Sequence, residues 1–115
     1  MSKDDLRTLA AGNVLGWVTG RAKVARAEWD ATVDKVWPEF IAEMATNPGF
    51  KGAVACWTVE TGEVSIVGIW SSVETRLAYE AKSAGTVRAI FNALLDLPVK
   101  RHKQVISKVH WQQAG

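Results

Sequence analysis

The sequence predicts a single α+β domain with an antiparallel sheet, its elements in the order β-α-β-β-α-β, and three observations carry that prediction. Apolar residues alternate with a period of two near both ends, over 13–24 and 101–111, as strands require. They recur at intervals of three and four over 25–45 and again after Trp70, as helices require. Between these helical stretches, two short apolar runs are joined by Glu60-Thr61-Gly62, which is a hairpin signal.

Residues 1–12 carry a mixed polar pattern ending in Ala10-Ala11-Gly12 and read as a lead-in, so the domain is expected over 13–111. In the first strand Leu15, Trp17, Thr19 and Arg21 share one face, while Val14, Gly16, Val18, Gly20 and Ala22 share the other. Glycines weaken a strand, and what they permit is close approach of a helix, another backbone or a ligand. The first helix places Trp29, Val33, Val36, Trp37, Phe40, Ile41 and Met44 on one stripe, with Pro38 predicting a kink or restart. Asn47-Pro48-Gly49 ends it.

The hairpin strands are expected over 52–59 and 63–70. Ser71 followed by Glu74 is a capping-box pattern that starts a second helix, which runs to about residue 82. Ser83-Ala84-Gly85 weakens the helix, and Val87, Ile90, Phe91, Leu94 and Leu95 resume helical spacing until Leu97-Pro98 stops it. In the last strand Val105, Ser107, Val109 and Trp111 face one way, with Gln104, Ile106, Lys108 and His110 opposite.

This order is that of a ferredoxin-like protomer, whose antiparallel sheet is covered by helices on one face only. The second face keeps large apolar side chains, tryptophans among them. Face-to-face pairing with a second copy is the economical cover, so a homodimer closing into a dimeric α+β barrel is expected.

Composition excludes several classes. The chain has 115 residues, 48% hydrophobic and 23% charged, and no segment approaches the about 18 consecutive apolar residues of a membrane span. The start carries charges of both signs and does not read as a secretory signal, which places the protein in the cytoplasm with no membrane partner. Fourteen basic against twelve acidic residues leave a charge of +2, too small and scattered for a nucleic-acid footprint. The Lys100-Arg101-His102-Lys103 cluster reads as a solvated strand entrance. Cys56 is the only cysteine, flanked by Ala55 and Trp57, and reads as a buried thiol. There is no nucleophile elbow, Walker loop, dinucleotide fingerprint or paired-His motif. Neither His102 nor His110 has a carboxylate or second histidine at metal-ligand spacing, so no metal is expected.

The run Asn47-Pro48-Gly49-Phe50-Lys51-Gly52 resembles the link between helix one and the second strand in antibiotic-biosynthesis monooxygenase-like domains. Ile69-Trp70-Ser71-Ser72-Val73-Glu74 is similar to their strand-ending tryptophan followed by a serine, a glutamate and a helix. The element order extends the resemblance over residues 13–111. The family includes cofactor-free oxygenases that convert aromatic phenols to quinones, haem-degrading oxygenases and proteins of no known reaction. By resemblance to the quinone-forming members, Trp70 lines the pocket and Arg88 matches an arginine on the last helix; their pocket asparagine has no counterpart in Ile66-Val67-Gly68-Ile69. The haem-degrading members need a strand-one asparagine, a helix-two tryptophan and a histidine ligand. Here no asparagine follows Asn13 on strand one, Tyr79 replaces that tryptophan, and Arg88 lies near the histidine's place, so no haem or other cofactor is expected. Polyketide-cyclase barrels share Ser72-Val73-Glu74-Thr75 and a tyrosine like Tyr79, without their histidine base here.

The candidate function is therefore a cofactor-independent monooxygenase acting on a small aromatic or polyphenolic ligand. A non-catalytic ligand-binding dimer, a cyclase-like or a haem-degrading member are the alternatives. Trp29 and Trp37 belong to the helical stripe and the core. Trp17, Trp57, Trp70 and Trp111 lie on strands, where they could stack a flat ligand or pack an interface. Arg88 would favour a phenolate, Tyr79 would orient it, and His110 is the one histidine that strand geometry could aim into a cavity as a proton acceptor.

Overall fold

The alternating segment at the start of the chain becomes the centre of the sheet, because both of its edges are paired. The structure, a computed structural model, describes residues 9–82 and 86–110. Its elements are β1 (Val14–Ala22), α1 (Arg26–Ala45), β2 (Phe50–Trp57), β3 (Glu63–Trp70), α2 (Val73–Lys82), α3 (Thr86–Ala93) and β4 (Leu95–Val105). The four strands lie in the order β2-β3-β1-β4, every neighbouring pair antiparallel. This is the expected ferredoxin-like arrangement, with the second helix divided into α2 and α3. Among the described residues no helix is long and apolar enough to cross a membrane.

Register sorts the side chains. Val14, Gly16, Val18 and Gly20 of β1 stand opposite Trp70, Gly68, Ile66 and Val64 of β3, and these eight share the face under the helices. There they meet the stripe of α1, from which Trp29, Val36 and Met44 are buried. One apolar cluster joins Trp29, Val36, Val64, Ile66, Phe91 and Leu95, and a second joins Val14, Met44, Trp70 and Tyr79. Rings interlock the layers: Phe91 lies 5.7 Å from Trp29 and 5.5 Å from Phe40, centroid to centroid.

Several details differ from the sequence reading. α1 is one continuous helix across Pro38. Pro38 and Asp34 both lie on its exposed side, so water can satisfy the Asp34 carbonyl that the proline leaves without a donor. The cap of α2 is Ser72, whose Oγ accepts from the Thr75 backbone N–H at 3.2 Å, one residue after the Ser71–Glu74 pattern. Ser71 instead supplies its backbone N–H to the Gly49 carbonyl at 2.8 Å. Gly49 has φ 94°, and a Cβ there would collide with Ser71 and Thr75, which explains why the turn after α1 carries glycine.

The largest correction concerns the end of the chain. α3 stops at Ala93, and Leu95, expected on a helical stripe, is instead the first residue of β4. Leu97-Pro98 therefore lies inside a strand rather than ending a helix. Thr19 pairs with Lys100 and Arg21 with Asp96, so residues 97–99 bulge opposite Gly20 alone. Pro98 has no N–H to give a ladder, and a bulge on an edge strand is where a sheet tolerates it. β4 ends at Val105, well short of residue 111, after Ile106 closes hydrogen bonds with Gly12 and Asn13. Cys56 is exposed rather than buried, because it alternates with Ala55 and Trp57 onto the outer face of edge strand β2.

Candidate active-site cleft

The paired glycines define a notch. Gly16 and Gly68 are direct partners across β1 and β3, so the helix face of the sheet lacks two neighbouring side chains there. A cleft opens above this floor, walled by Trp29, Phe40, Met44, Tyr79, Phe91 and Leu95, with Arg76, Asn92 and Arg101 as its polar lining. Its cavity volume is about 40 Å³. That is room for roughly two or three waters.

What fills the notch is the side chain of Arg76. A Cβ at Gly16 would lie 2.7 Å from both Cζ and one terminal nitrogen of that guanidinium, and one at Gly68 would lie 3.6 Å from the same nitrogen. The Arg76 side chain is only 8% exposed. Its Nε donates to Glu80 Oε2 at 2.8 Å, one helical turn on, and its Cζ lies 5.7 Å from the Trp70 ring and 5.4 Å from the Tyr79 ring. Lys103 of β4, the partner of Gly16, reaches the same carboxylate at 3.3 Å. Burial by itself pushes the Glu80 carboxyl up, but the hydrogen bonds from Arg76 and Lys103 outweigh it and hold the group below its ordinary value.

Trp70, fully buried, stacks on Tyr79 with centroids 4.8 Å apart and meets Phe50 in a tilted contact at 5.1 Å. Its ring belongs to the core, behind the cleft wall. Its indole Nε1 comes within 2.8 Å of a Cβ placed on Gly68 and has no hydrogen-bond partner among the described residues. A buried donor without an acceptor is uncommon in proteins. Arg76 and Trp70 thus bring N–H groups to the same glycine.

The other residues singled out in the sequence lie as follows. Tyr79 is buried, turned inward and part of the cleft wall. Trp17 stands on the opposite face of the sheet, between Val67 and His102, so it cannot line this cleft. Trp57 lines a separate cleft with Trp29, Arg26 and Asp30. His110 is exposed and lies beyond the end of β4, so no strand aims it into a cavity. Arg88 lies on α3, three residues before the cleft residue Phe91, with its side chain outside the described set, and Trp111 lies outside the described residues altogether. Among the described residues no group of three His, Cys, Asp or Glu side chains could hold a metal ion.

Sequence reasoning passed over Arg76. Its signal was present: counted from the helix start after Trp70, Arg76 and Tyr79 are three apart and Glu80 follows at four, which puts an arginine on the buried stripe with a carboxylate in reach.

No family model matches the sequence, and no curated protein matches it. Among solved structures, the chain is similar to the monooxygenase of the gene ActVA-Orf6 of Streptomyces coelicolor, solved with the ligand nanaomycin D. The TM-score is 0.72 at 17% identity, covering 98% of this chain and 100% of that one. It is also similar to a mutant of SnoaB, a cofactor-independent oxygenase from Streptomyces nogalater, with TM-score 0.65, 15% identity, and 86% and 97% coverage. A third is a dimeric ferredoxin-like protein from an uncultured marine organism, with TM-score 0.66, 12% identity and 97% coverage of both chains. The chain shares the ferredoxin-like fold of these proteins. In this ferredoxin-like frame the cleft sits between the helix layer and the two central strands, where two directly paired residues lack side chains.

Proposed function

We propose that this protein is a cofactor-independent monooxygenase of a small aromatic or polyphenolic substrate, working as a homodimer with its site in the cleft over Gly16 and Gly68. The observation that carries the reading is the buried Arg76 guanidinium inside an aromatic-walled cleft, with the Trp70 N–H meeting it at Gly68 on the cleft floor. The fold likeness to the two Streptomyces oxygenases supports it.

The chemistry needs little from the protein. An ionised phenol or enol gives one electron to oxygen, the two radicals combine to a peroxide, and loss of water leaves a carbonyl where the ring carbon bore two hydrogens. One oxygen atom enters the product and the other leaves as water. The protein has to favour the anion and exclude bulk water. Arg76 and the Trp70 N–H favour the negative oxygen, and Tyr79 orients it. Arg88 on α3 is a further candidate for that charge.

One observation supports the homodimer. The outer face of the sheet presents Leu15, Trp17 and Val54, with Val54 42% exposed. A second copy laid on this face would cover it.

The second reading, a ligand-binding dimer without turnover, is favoured by one feature: among the described residues the cleft lining contains no histidine or carboxylate to take a proton. Oxygen uptake against anthrones and hydroquinones decides between them. Turnover that falls steeply in Trp70→Phe, which keeps an aromatic ring but loses the N–H and part of the indole volume, is expected. Uptake at the buffer rate with every substrate refutes the oxygenase, and full activity in Trp70→Phe places the site elsewhere.

A further inference from the structure

We infer that Arg76 is a specificity residue for planar aromatic acids: its guanidinium binds a ligand carboxylate side-on through Nε and one terminal nitrogen, taking the place that Glu80 holds at Nε in the free protein, while Lys103 keeps Glu80. The inference rests on the cleft being the substrate site and adds to that reading a ligand class.

Arg76 and Lys103 share one carboxylate, Glu80, so this corner of the cleft carries an excess positive charge. The guanidinium is held by its Nε alone among its described hydrogen bonds. A guanidinium presents five donors in a planar fork that matches a carboxylate two bonds at a time, so a single Nε contact leaves its preferred geometry unused. Burial sharpens the point, since a charge removed from water needs partners at its donors.

The placement suits exchange. Glu80 is 30% exposed and within 3.3 Å of Lys103, so it can move toward Lys103 and solvent when a ligand carboxylate displaces it. Arg76 lies over glycine, where nothing pins the guanidinium from below, and beside the stacked rings of Trp70 and Tyr79. Because the free cleft admits only a few waters, a ring system enters only as the guanidinium shifts off the Gly16–Gly68 floor. A ligand that brings its own anion replaces the lost Glu80 contact as it enters; a neutral ligand of the same shape does not. Charge selectivity follows from that difference.

The test measures binding of anthraquinone-2-carboxylate and of its methyl ester by calorimetry and by quenching of tryptophan fluorescence. The wild type should prefer the acid by roughly tenfold or more, and Arg76→Met should bring acid and ester to equal affinity. Glu80→Gln removes the internal competitor and should tighten acid binding without tightening ester binding, an effect that a merely structural Arg76–Glu80 pair would not produce. Equal binding of acid and ester by the wild type, a preference that survives Arg76→Met, or weaker acid binding in Glu80→Gln each overturns the inference. If Arg76→Met does not fold by circular dichroism, the sign of the Glu80→Gln change decides. Oxygen uptake separates the two proposals: acid preference without turnover on any substrate refutes the oxygenase alone, and turnover without acid preference refutes this inference alone.

Discussion

Gly16 and Arg76 are fitted to each other, since the guanidinium lies where any β-carbon on residue 16 would stand. One strand residue without a side chain thus makes room for one long charged side chain from α2, and the pair sets both the depth and the charge of the cleft.

Gly16→Ala should therefore act through Arg76. The guanidinium is the free end of a flexible side chain, so the cost should fall at the low end of the overpacking range, about 1 kcal/mol. Urea unfolding of a double-mutant cycle checks it: the cost should vanish in an Arg76→Ala background. An equal cost in both backgrounds would show that the strain lies elsewhere.

Capping gives a second contrast. Ser72→Ala removes the acceptor for the Thr75 N–H and should destabilise by about 1 kcal/mol, whereas Ser71→Ala, which keeps its backbone bond to Gly49, should cost less. Thermal midpoints of the two variants in the opposite order would contradict the assignment.

The Glu80 carboxyl, held below its ordinary value, stabilises the fold above its unfolded pKa of about 4.3, and that contribution is lost as the pH falls through the lower folded value. Wild type should then exceed Glu80→Gln in stability near neutral pH, and the gap should close on acidification. A gap that is constant down to about pH 3 would mean that the carboxyl titrates as it does in the unfolded chain.

Trp17, on the outer face, should anchor the homodimer. Sedimentation at micromolar concentration should show two copies for the wild type and a monomer for Trp17→Glu, as when an interface anchor worth about 2 kcal/mol or more is lost. A wild-type monomer refutes the dimer; a dimeric Trp17→Glu moves the interface to another face.

The fold was legible because periodicity is a local property. Alternation around Trp17 and the three-four spacing of Trp29, Val36 and Met44 depend only on which side of a strand or helix must be dry, and the structure places them accordingly. The end of the chain was not legible in this way. Leu94 and Leu95 continue a helical spacing, yet Leu95 opens β4, because pairing of Ala22 with Leu95 and Arg21 with Asp96 rewards an extended chain there. The proline that reads as a helix stop is admitted to the strand by the bulge beside it.

The sequence by itself determined the element order, the small-residue face of β1 and the inward-facing aromatic stripes, since each follows from the spacing of side chains along a short stretch. Only the tertiary structure decided what the cleft is made of. Gly16 and Gly68 are 52 positions apart and become one notch through the β1–β3 register. Arg76 enters that notch because α2 crosses over it, and Trp70 gives the notch its N–H while its ring goes to the core. Such a site depends on which groups long-range pairing brings together, and no local pattern encodes that.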